Sequence, residues 1–190
     1  MDRGGSRSRG VSEAIAEPMA LPVKPLEAES FGDLYERTFS RVYAYVGSLL
    51  RDRAAAEDVT AQAFERAYRK RRSYRRGKGS ADAWLFGIAR NAALDELRRR
   101  KRHAGLHSEP EDTDAAATAH EQAETALRRQ VVRAALDQLE PRERELVALK
   151  FMGGLSNTEI ARVLGLSESN TSTKLHRTIT KLREACRDEA

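Results

Sequence analysis

Apolar residues recur at spacings of three and four along most of this chain, which is the pattern of amphipathic helices. The first stripe follows Ser30, whose hydroxyl can cap a helix, with Asp33 three residues further on as in a capping box. The apolar members of this stripe are Tyr35, Phe39, Val42, Tyr43, Val46, Leu49 and Leu50. We therefore predict a helix that begins at Ser30 and buries this face.

Two more helices and a loop are predicted before residue 103. The second helix starts after Asp52 and runs to about Lys70, and its inner stripe comprises Ala56, Val59, Ala63, Phe64 and Ala67. The segment RRSYRRGKGS predicts a loop, because two glycines and a charge cluster suit a helix interior poorly. Ser80 can cap a third helix, which runs to about Arg102 and buries Ala81, Leu85, Ile88, Ala89 and Ala92.

The last third of the chain predicts further helices, of which the final two are joined by a tight turn. Pro141 is a natural first residue for one of them. Ser156 and Glu159 form a capping box, Gly165 ends that short helix, and Ser167 can cap the next. No segment shows the alternation of a β-strand, so we predict an all-α fold.

Charge and composition divide the chain into two helical domains. From Lys70 to Arg102, twelve basic residues stand against three acidic ones, a net charge of +9, whereas residues 103–126 hold six acidic residues and no Lys or Arg. The acidic segment has no large apolar residue after Leu106, so it cannot form a core. We predict a flexible tail over residues 1–29, a first domain over 30–102, an acidic linker over 103–124 and a second domain over 125–190.

The composition excludes several classes of protein. Apolar residues make up 40% of the chain and charged residues 33%, which allows a packed helical core. The apolar run Ala83–Ala89 is far shorter than the roughly 20 residues that span a bilayer, and residues 1–29 lack the apolar stretch of a secretory signal, so we expect a cytoplasmic protein. No Ser-His-Asp set, phosphate loop or metal-ligand cluster appears. We therefore expect neither an enzyme nor a protein with a metal or cofactor.

The last two predicted helices have the spacing of a helix-turn-helix, whose second helix lies in the major groove of DNA. Its inward residues are Thr171, Leu175, Ile179 and Leu182. Its outward residues are polar and suit base edges and phosphates, namely Ser169, Asn170, Thr173, His176, Arg177 and Thr180, with Lys174 and Lys181 on one flank. The alternative is a helical hairpin with a solvated polar face.

Three blocks occur in a fixed order, namely AAAEDVTAQAFERAYRK, ADAWLFGIARNAALDELRRRKR and, after the acidic linker, LSNTEIARVLGLSESNTSTKLHRTITKLRE. Over about residues 30–186 this arrangement resembles the extracytoplasmic-function (ECF, group 4) sigma factors of bacterial RNA polymerase. The resemblance implies an initiation factor that binds core RNA polymerase and promoter DNA and that an anti-sigma factor holds inactive. It further implies that the second helix docks on the clamp of the largest polymerase subunit through Asp58, Gln62 and Glu65.

The same resemblance assigns the −10 promoter element to the first domain and the −35 element to the second. The family's −35 positions are matched by Ser172, Thr173, His176 and Arg177, to which the helix wheel adds Asn170 and Lys174. For the melted −10 element we predict contacts from the basic loop and an outward stripe of the third helix, namely Tyr74, Arg75, Arg76, Lys78, Trp84, Asn91 and Arg98. An aromatic ring beside cations suits the stacking of single-stranded bases, although Trp84 is equally compatible with a core position.

Two alternatives remain at this point. The resemblance implies that the acidic linker threads the RNA path of the polymerase, but an ordinary solvated linker has the same composition. A conventional regulator that binds duplex DNA alone would share the C-terminal motif. Binding of the free protein to duplex promoter distinguishes the two functions, because a free sigma factor of this type should bind poorly without polymerase.

Overall fold

The computed structural model describes residues 28–103 and 121–188, and no strand occurs within these two ranges. Most of the predicted tail and of the predicted linker lies outside the described residues. The helices are α1 (Ala28–Leu50), α2 (Arg53–Lys70), α3 (Ala81–His103), α4 (Glu121–Asp137), α5 (Pro141–Val147), α6 (Asn157–Leu164) and α7 (Glu168–Asp188). The all-α prediction is confirmed. Helix α4 begins at Glu121, inside the predicted linker range.

Helix α1 differs from its prediction at its start and in its buried face. It begins at Ala28 because Ala and Glu are strong helix formers, so Ser30 lies inside the first turn and is not the N-cap. The predicted stripe members Tyr35 and Phe39 are 43% and 38% exposed. They pack at the edge of the Phe64 ring, with centroid distances of 4.8 and 5.8 Å. The fully buried positions of α1 are Leu34, Thr38, Val42, Tyr45 and Val46.

Helices α2 and α3 follow their predicted boundaries closely. The Asp52 carboxylate caps α2 by accepting a hydrogen bond from the Ala55 amide at 3.0 Å. The predicted inner stripe of α2 is buried throughout. The Ser80 hydroxyl caps α3 by accepting from the Ala83 amide at 3.1 Å. Between the helices, the predicted loop forms two short 3₁₀ turns, Arg71–Ser73 and Arg76–Lys78.

The C-terminal helices form the predicted helix-turn-helix. Pro141 opens α5, which continues through a π-helical turn over Ala148–Met152. Ser156 and Glu159 form a reciprocal capping box at the start of α6. Gly165 ends α6 in the left-handed conformation, with φ at 67°, where a Cβ would be strained. The Ser167 hydroxyl then accepts a hydrogen bond from the Asn170 amide at 3.2 Å and caps α7.

The N-terminal and C-terminal helices share one continuous apolar core. Leu149, Leu155 and Ile160 of the C-terminal half are fully buried in the same cluster as Leu85 and Phe86 of α3. Helix α6 lies against α3, and the π-helical turn lies against α1. Periodicity identifies a buried face but not its partner, so the sequence did not predict this contact between the two halves.

Candidate nucleic-acid and polymerase interfaces

Helix α7 presents the predicted −35 residues on one polar face. Thr171, Leu175 and Thr178 are buried and fix the rotation of the helix. The exposed members of the predicted −35 set are Asn170, Thr173, Lys174, His176 and Arg177. Their exposure leaves donors and acceptors free to reach base edges and phosphates. The sixth predicted residue, Ser172, is partly buried on the same helix.

Two contacts support this face from the rest of the C-terminal half. The Asn157 side-chain amide at the start of α6 donates to the Ser172 hydroxyl at 3.0 Å, which ties the two helices of the motif together. The Lys181 ammonium lies 2.9 Å from Glu143 Oε2 of α5. The hydrogen bond from Lys181, together with one from the Glu140 amide, holds the pKa of Glu143 below its ordinary value. Lys181 is therefore engaged with α5.

The predicted −10 residues meet at a cavity of about 460 Å³ at the start of α3. Its lining includes Tyr74, Arg75, Lys78, Trp84 and Asn91, which are five of the seven predicted residues. The cavity combines an aromatic wall with two cations and an amide, which is a set that suits an unstacked base and its phosphate. The side chain of Arg76, in the same loop, lies outside the described part of the chain.

Tyr74 and Trp84 form the aromatic wall of this cavity, with ring centroids 5.4 Å apart. Tyr74 is only 6% exposed, and its hydroxyl donates to the Gly79 carbonyl at 2.9 Å. Tyr74 thus anchors the loop from inside, and its ring supports Trp84. Trp84 is half-buried, so it packs on the core and also borders the cavity.

Arg98 lies apart from the cavity, near the C-terminal end of α3. Asn91, Asp95 and Arg98 are all exposed, as the predicted outward stripe requires. Arg98 Nη1 donates to Asp95 Oδ1 at 3.0 Å, and such an exposed pair is worth about 0–1 kcal/mol, so a phosphate can compete for the guanidinium. Arg100, by contrast, donates at 2.8 Å to Asp52, the cap of α2, and holds the two helices together.

The predicted polymerase-binding residues lie on one exposed face of α2. Asp58, Gln62 and Glu65 are all exposed, and their spacing places them on neighbouring turns of one helix surface. Glu65 Oε1 lies 2.6 Å from Arg69 Nη2, one turn further along α2. The opposite face of α2 is buried, so this polar face is available to another protein.

The structure reveals a buried polar network that sequence reasoning missed. Glu145 of α5 is 7% exposed, and it accepts from Arg90 Nε at 2.7 Å and from Arg90 Nη2 at 3.2 Å. The Tyr45 hydroxyl donates to Glu145 Oε1 at 3.2 Å. Burial, followed by the charge of Glu145, raises the pKa of Tyr45. One signal was available, because Glu145 stands four residues before Leu149 and therefore on the inward face of its helix.

A second polar group joins the two halves near the −10 cavity. Arg41 Nε donates to the Gly153 carbonyl at 2.9 Å, and Arg41 Nη1 donates to Asp82 at 2.8 Å. The Ser80 hydroxyl donates to Glu159 Oε1. Burial raises the pKa of Glu159, but hydrogen bonds from Ser80 and Ser156 outweigh that effect and hold it below the ordinary value.

The described ranges contain neither a metal-binding cluster nor a membrane-spanning helix. Within residues 28–103 and 121–188, no group of three or more metal-ligating side chains comes together. Among the helices of those ranges, none is long and apolar enough to cross a membrane.

Comparison with known proteins places both halves of the chain in one family. Residues 34–103 match the family model for sigma-70 region 2, and residues 129–182 match that for sigma-70 region 4. RNA polymerase sigma factor CarQ of Myxococcus xanthus is 36% identical over 157 residues, which cover 82% of this chain and 88% of that protein. The chain therefore belongs to the sigma factors, which are initiation factors of bacterial transcription.

Further matches define the group within that family. ECF RNA polymerase sigma factor BldN of Streptomyces coelicolor is 32% identical over 167 residues, covering 86% of this chain and 63% of that protein. The chain is an ECF-type sigma factor and serves promoter-specific transcription by RNA polymerase. The resemblance inferred from the sequence is confirmed.

Two solved structures share the fold. Sigma factor RpoE, in its complex with the anti-sigma factor NepR from Bartonella quintana, matches with a TM-score of 0.68 at 23% identity, over 84% of this chain and 98% of that one. CnrH, in complex with the cytosolic domain of CnrY, matches with a TM-score of 0.61 at 25% identity, over 86% and 92% of the two chains.

Proposed function

We propose that this sigma factor reads the −35 element with α7, captures the melted −10 strand at the cavity between the basic loop and α3, and docks on the polymerase clamp through α2. One observation carries the proposal. The same chain has an exposed polar face on α7 and a cavity with aromatic and basic walls at the start of α3. Each surface suits one form of DNA, the first duplex and the second single-stranded.

The energetics of promoter opening support the assignment of the cavity. Duplex stacking is worth roughly 1.4 kcal/mol per step, and flipping one base costs a few kcal/mol more. A base that stacks on an aromatic side chain regains about 1–3 kcal/mol. Trp84, supported by Tyr74, is the ring in position to do this, and Arg75 and Lys78 are the neighbouring cations for phosphates.

The experiment is transcription by core polymerase supplemented with the purified chain, on promoter templates from the genome that encodes it. We expect specific transcripts that neither component makes alone. Arg177→Ala should weaken −35 recognition by about 1–3 kcal/mol, or roughly 5- to 150-fold, while core binding stays unchanged. Arg183→Ala, an exposed arginine of the same helix outside the predicted face, is the matched control. Absence of any specific transcript would reject the proposal.

The docking surface is tested separately from DNA recognition. Asp58→Arg should reduce the affinity for core polymerase, because it reverses a charge on the polar face of α2. Asp33→Arg introduces the same change on an exposed position of α1 and should leave that affinity intact. Equal loss in both variants would mean that general charge, and not this face, governs binding. Core binding is measured by fluorescence anisotropy of the labelled chain.

The sequence left a stand-alone regulator as the alternative, and membership of the sigma factors argues against it. Such a regulator would bind its duplex at about 10⁻⁸ to 10⁻¹¹ M without polymerase. Tight, sequence-specific gel shifts by the free chain, without activity in the transcription assay, would support it.

We further propose that an anti-sigma protein binds and regulates this chain, because its fold matches that of RpoE, a sigma factor solved in complex with the anti-sigma factor NepR. The test is to purify the tagged chain from its native cell, identify the bound protein and add it to the transcription reaction. Inhibition that excess sigma factor relieves is the expected result.

A further inference from the structure

Three polar side chains form a chain of hydrogen bonds that leads to the polar face of α7. The Lys150 ammonium donates to Asn157 Oδ1 at 3.2 Å, and Asn157 Nδ2 donates to the Ser172 hydroxyl at 3.0 Å. Lys150 lies in the π-helical turn, Asn157 is the first residue of α6, and Ser172 lies in the first turns of α7. We call this chain the polar relay. All three residues are partly buried, so the relay is partly shielded from solvent.

Lys150 determines the direction of both hydrogen bonds in the polar relay. An ammonium group has three donors and no acceptor, so the Asn157 atom beside it must be the carbonyl oxygen. The amide nitrogen of Asn157 then faces Ser172, and this nitrogen can only donate. The Ser172 oxygen therefore accepts, and the hydrogen of the Ser172 hydroxyl is left for another partner.

The Ser172 hydroxyl differs in this respect from other hydroxyls of α7. Those of Thr171, Thr178 and Thr180 donate to backbone carbonyls four residues earlier, at 3.0, 2.9 and 3.1 Å. Within residues 28–103 and 121–188, the Ser172 hydroxyl donates to no acceptor, and its hydrogen bond is the one that it accepts from Asn157. Its hydrogen is therefore available to a ligand of α7.

We propose that Lys150 and Asn157 are positioning residues that present Ser172 to the DNA as a hydrogen-bond donor, so that Ser172 selects a keto base, guanine or thymine, at one position of the −35 element. This inference rests on the proposed reading of the −35 element by α7. In the major groove, O6 of guanine and O4 of thymine are acceptors, whereas N6 of adenine and N4 of cytosine are donors. A serine without the relay can donate or accept, and so discriminates little between these two classes.

Asn157→Asp reverses the last hydrogen bond of the polar relay. Both carboxylate oxygens accept, so one keeps Lys150 as its donor and the other takes the hydrogen of the Ser172 hydroxyl. The Ser172 oxygen then presents lone pairs to the groove and should select an amino base, adenine or cytosine. The fold tolerates this change, because a carboxylate in the first turn of α6 interacts favourably with the helix dipole.

The test measures base preference by transcription with the holoenzyme. Core polymerase and the full-length chain transcribe a pool of barcoded templates in which each −35 base pair in turn is varied, and the transcripts are counted by sequencing. At one position the wild type should favour keto over amino bases by about 2- to 12-fold, the range set by one neutral hydrogen bond. Asn157→Asp should invert this preference. Lys150→Met should reduce it, because the Asn157 amide can then turn either its oxygen or its nitrogen to Ser172.

Two further variants separate the relay from the added negative charge. Thr158→Asp is the matched control, because it places a carboxylate on the next residue of α6, outside the relay. It should lower transcription from all templates by a similar factor and leave the order of base preference unchanged. Asn157→Asp combined with Ser172→Ala should lose the inverted preference, because the hydroxyl that carries it is gone. Circular dichroism verifies that helix content is equal in all variants.

The relay itself is tested by NMR of the free, full-length chain. The side-chain amide resonances of Asn157 should shift in Lys150→Met and in Ser172→Ala, because each variant removes one of its two hydrogen-bond partners. The side-chain amide of Asn91, an exposed residue of α3, should keep its resonances in both variants.

The outcomes separate the relay from the proposed function. With an active wild type, equal use of keto and amino bases at every −35 position overturns the inference, as does an unchanged preference in Asn157→Asp or Lys150→Met. Unchanged Asn157 resonances overturn it as well. If the wild type makes no specific transcript, the proposed function fails and the selection of a keto base falls with it. The NMR measurement contains neither polymerase nor DNA, so it shows independently whether the hydrogen bonds of the relay exist.

Discussion

The dual position of Trp84, between core and cavity, gives a quantitative prediction for Trp84→Ala. If the indole stacks on a captured base, its loss should weaken capture of the −10 strand by about 1–3 kcal/mol, or roughly 5- to 150-fold in the equilibrium for open complex formation. The ring is half-buried against Tyr74, so we expect a smaller loss of folding stability than the 3–5 kcal/mol typical of a fully buried Trp.

The assay compares holoenzymes on one promoter that carries 2-aminopurine within the −10 element, whose fluorescence rises when the bases unstack. Trp84→Phe is the matched variant, because it retains an aromatic face, and it should preserve most of the opening. A template that is already unpaired across the −10 element should reduce the defect of Trp84→Ala, because strand separation no longer opposes the reaction. Urea denaturation measures the folding stability of each variant.

One combination of results would refute the stacking role. In this combination, Trp84→Ala lowers the free energy of unfolding by about 3 kcal/mol or more. Trp84→Phe shows the same defect in promoter opening as Trp84→Ala, and the unpaired template does not reduce that defect. In that case Trp84 would be a core residue whose removal merely loosens the loop.

Three predictions concern stability. Gly165→Ala should lower the free energy of unfolding by about 1–2 kcal/mol, or Tm by roughly 2–8 °C, because φ at 67° strains any residue with a Cβ; an unchanged Tm would contradict this. The hydrogen bond from the Ala55 amide holds the pKa of Asp52 below its ordinary value. The cap therefore contributes to folding stability above about pH 4, and this contribution is lost as pH falls through the folded pKa. The free energies of unfolding of Asp52→Asn and wild type, measured by urea titration, should converge in acid. Burial raises the pKa of Tyr45, so the Tyr45 hydroxyl contributes to folding stability below about pH 10, and this contribution is lost as pH rises above that value. Tyr45→Phe should therefore flatten the alkaline limb of the stability curve, and an identical limb in both proteins would contradict the assignment.

Local signals in the sequence were sufficient for most of the secondary structure. Asp52, Ser80 and the Ser156 to Glu159 box all cap the helices predicted from them, because a cap depends on residues within one turn. Ser30 was the exception, since the good helix formers before it extend α1 to Ala28. Capping residues mark where a helix can start, and a favourable preceding residue can move that start upstream.

Tertiary contacts explain what the sequence did not predict. Tyr35 and Phe39 have the spacing of a buried stripe, yet the buried face of α1 centres on Leu34, Val42 and Tyr45 because α3 and the π-helical turn pack there. A family motif and a helix wheel were enough to predict the exposed face of α7 and the residues that line the −10 cavity, and their roles in DNA binding stay predictions. The buried network of Glu145, Arg90 and Tyr45 could not be predicted, because Arg90 and Tyr45 stand 55 and 100 residues before Glu145 and only the packing of the two halves brings them together.

Gly153 sets a constraint that should be visible among related sequences. A Cβ at this position would lie 2.5 Å from the Leu149 carbonyl oxygen of its own turn, so a side chain requires the turn to change shape. It would also lie 3.1 Å from the Phe86 ring of α3, so the ring must move if the two halves are to stay in contact. Relatives that carry a larger residue here should have a smaller one at the position of Phe86 and a reshaped turn. Relatives that keep both residues should share the same packed arrangement. Paired variation at these two positions therefore offers a way to sort the family by whether the N-terminal and C-terminal halves pack against each other.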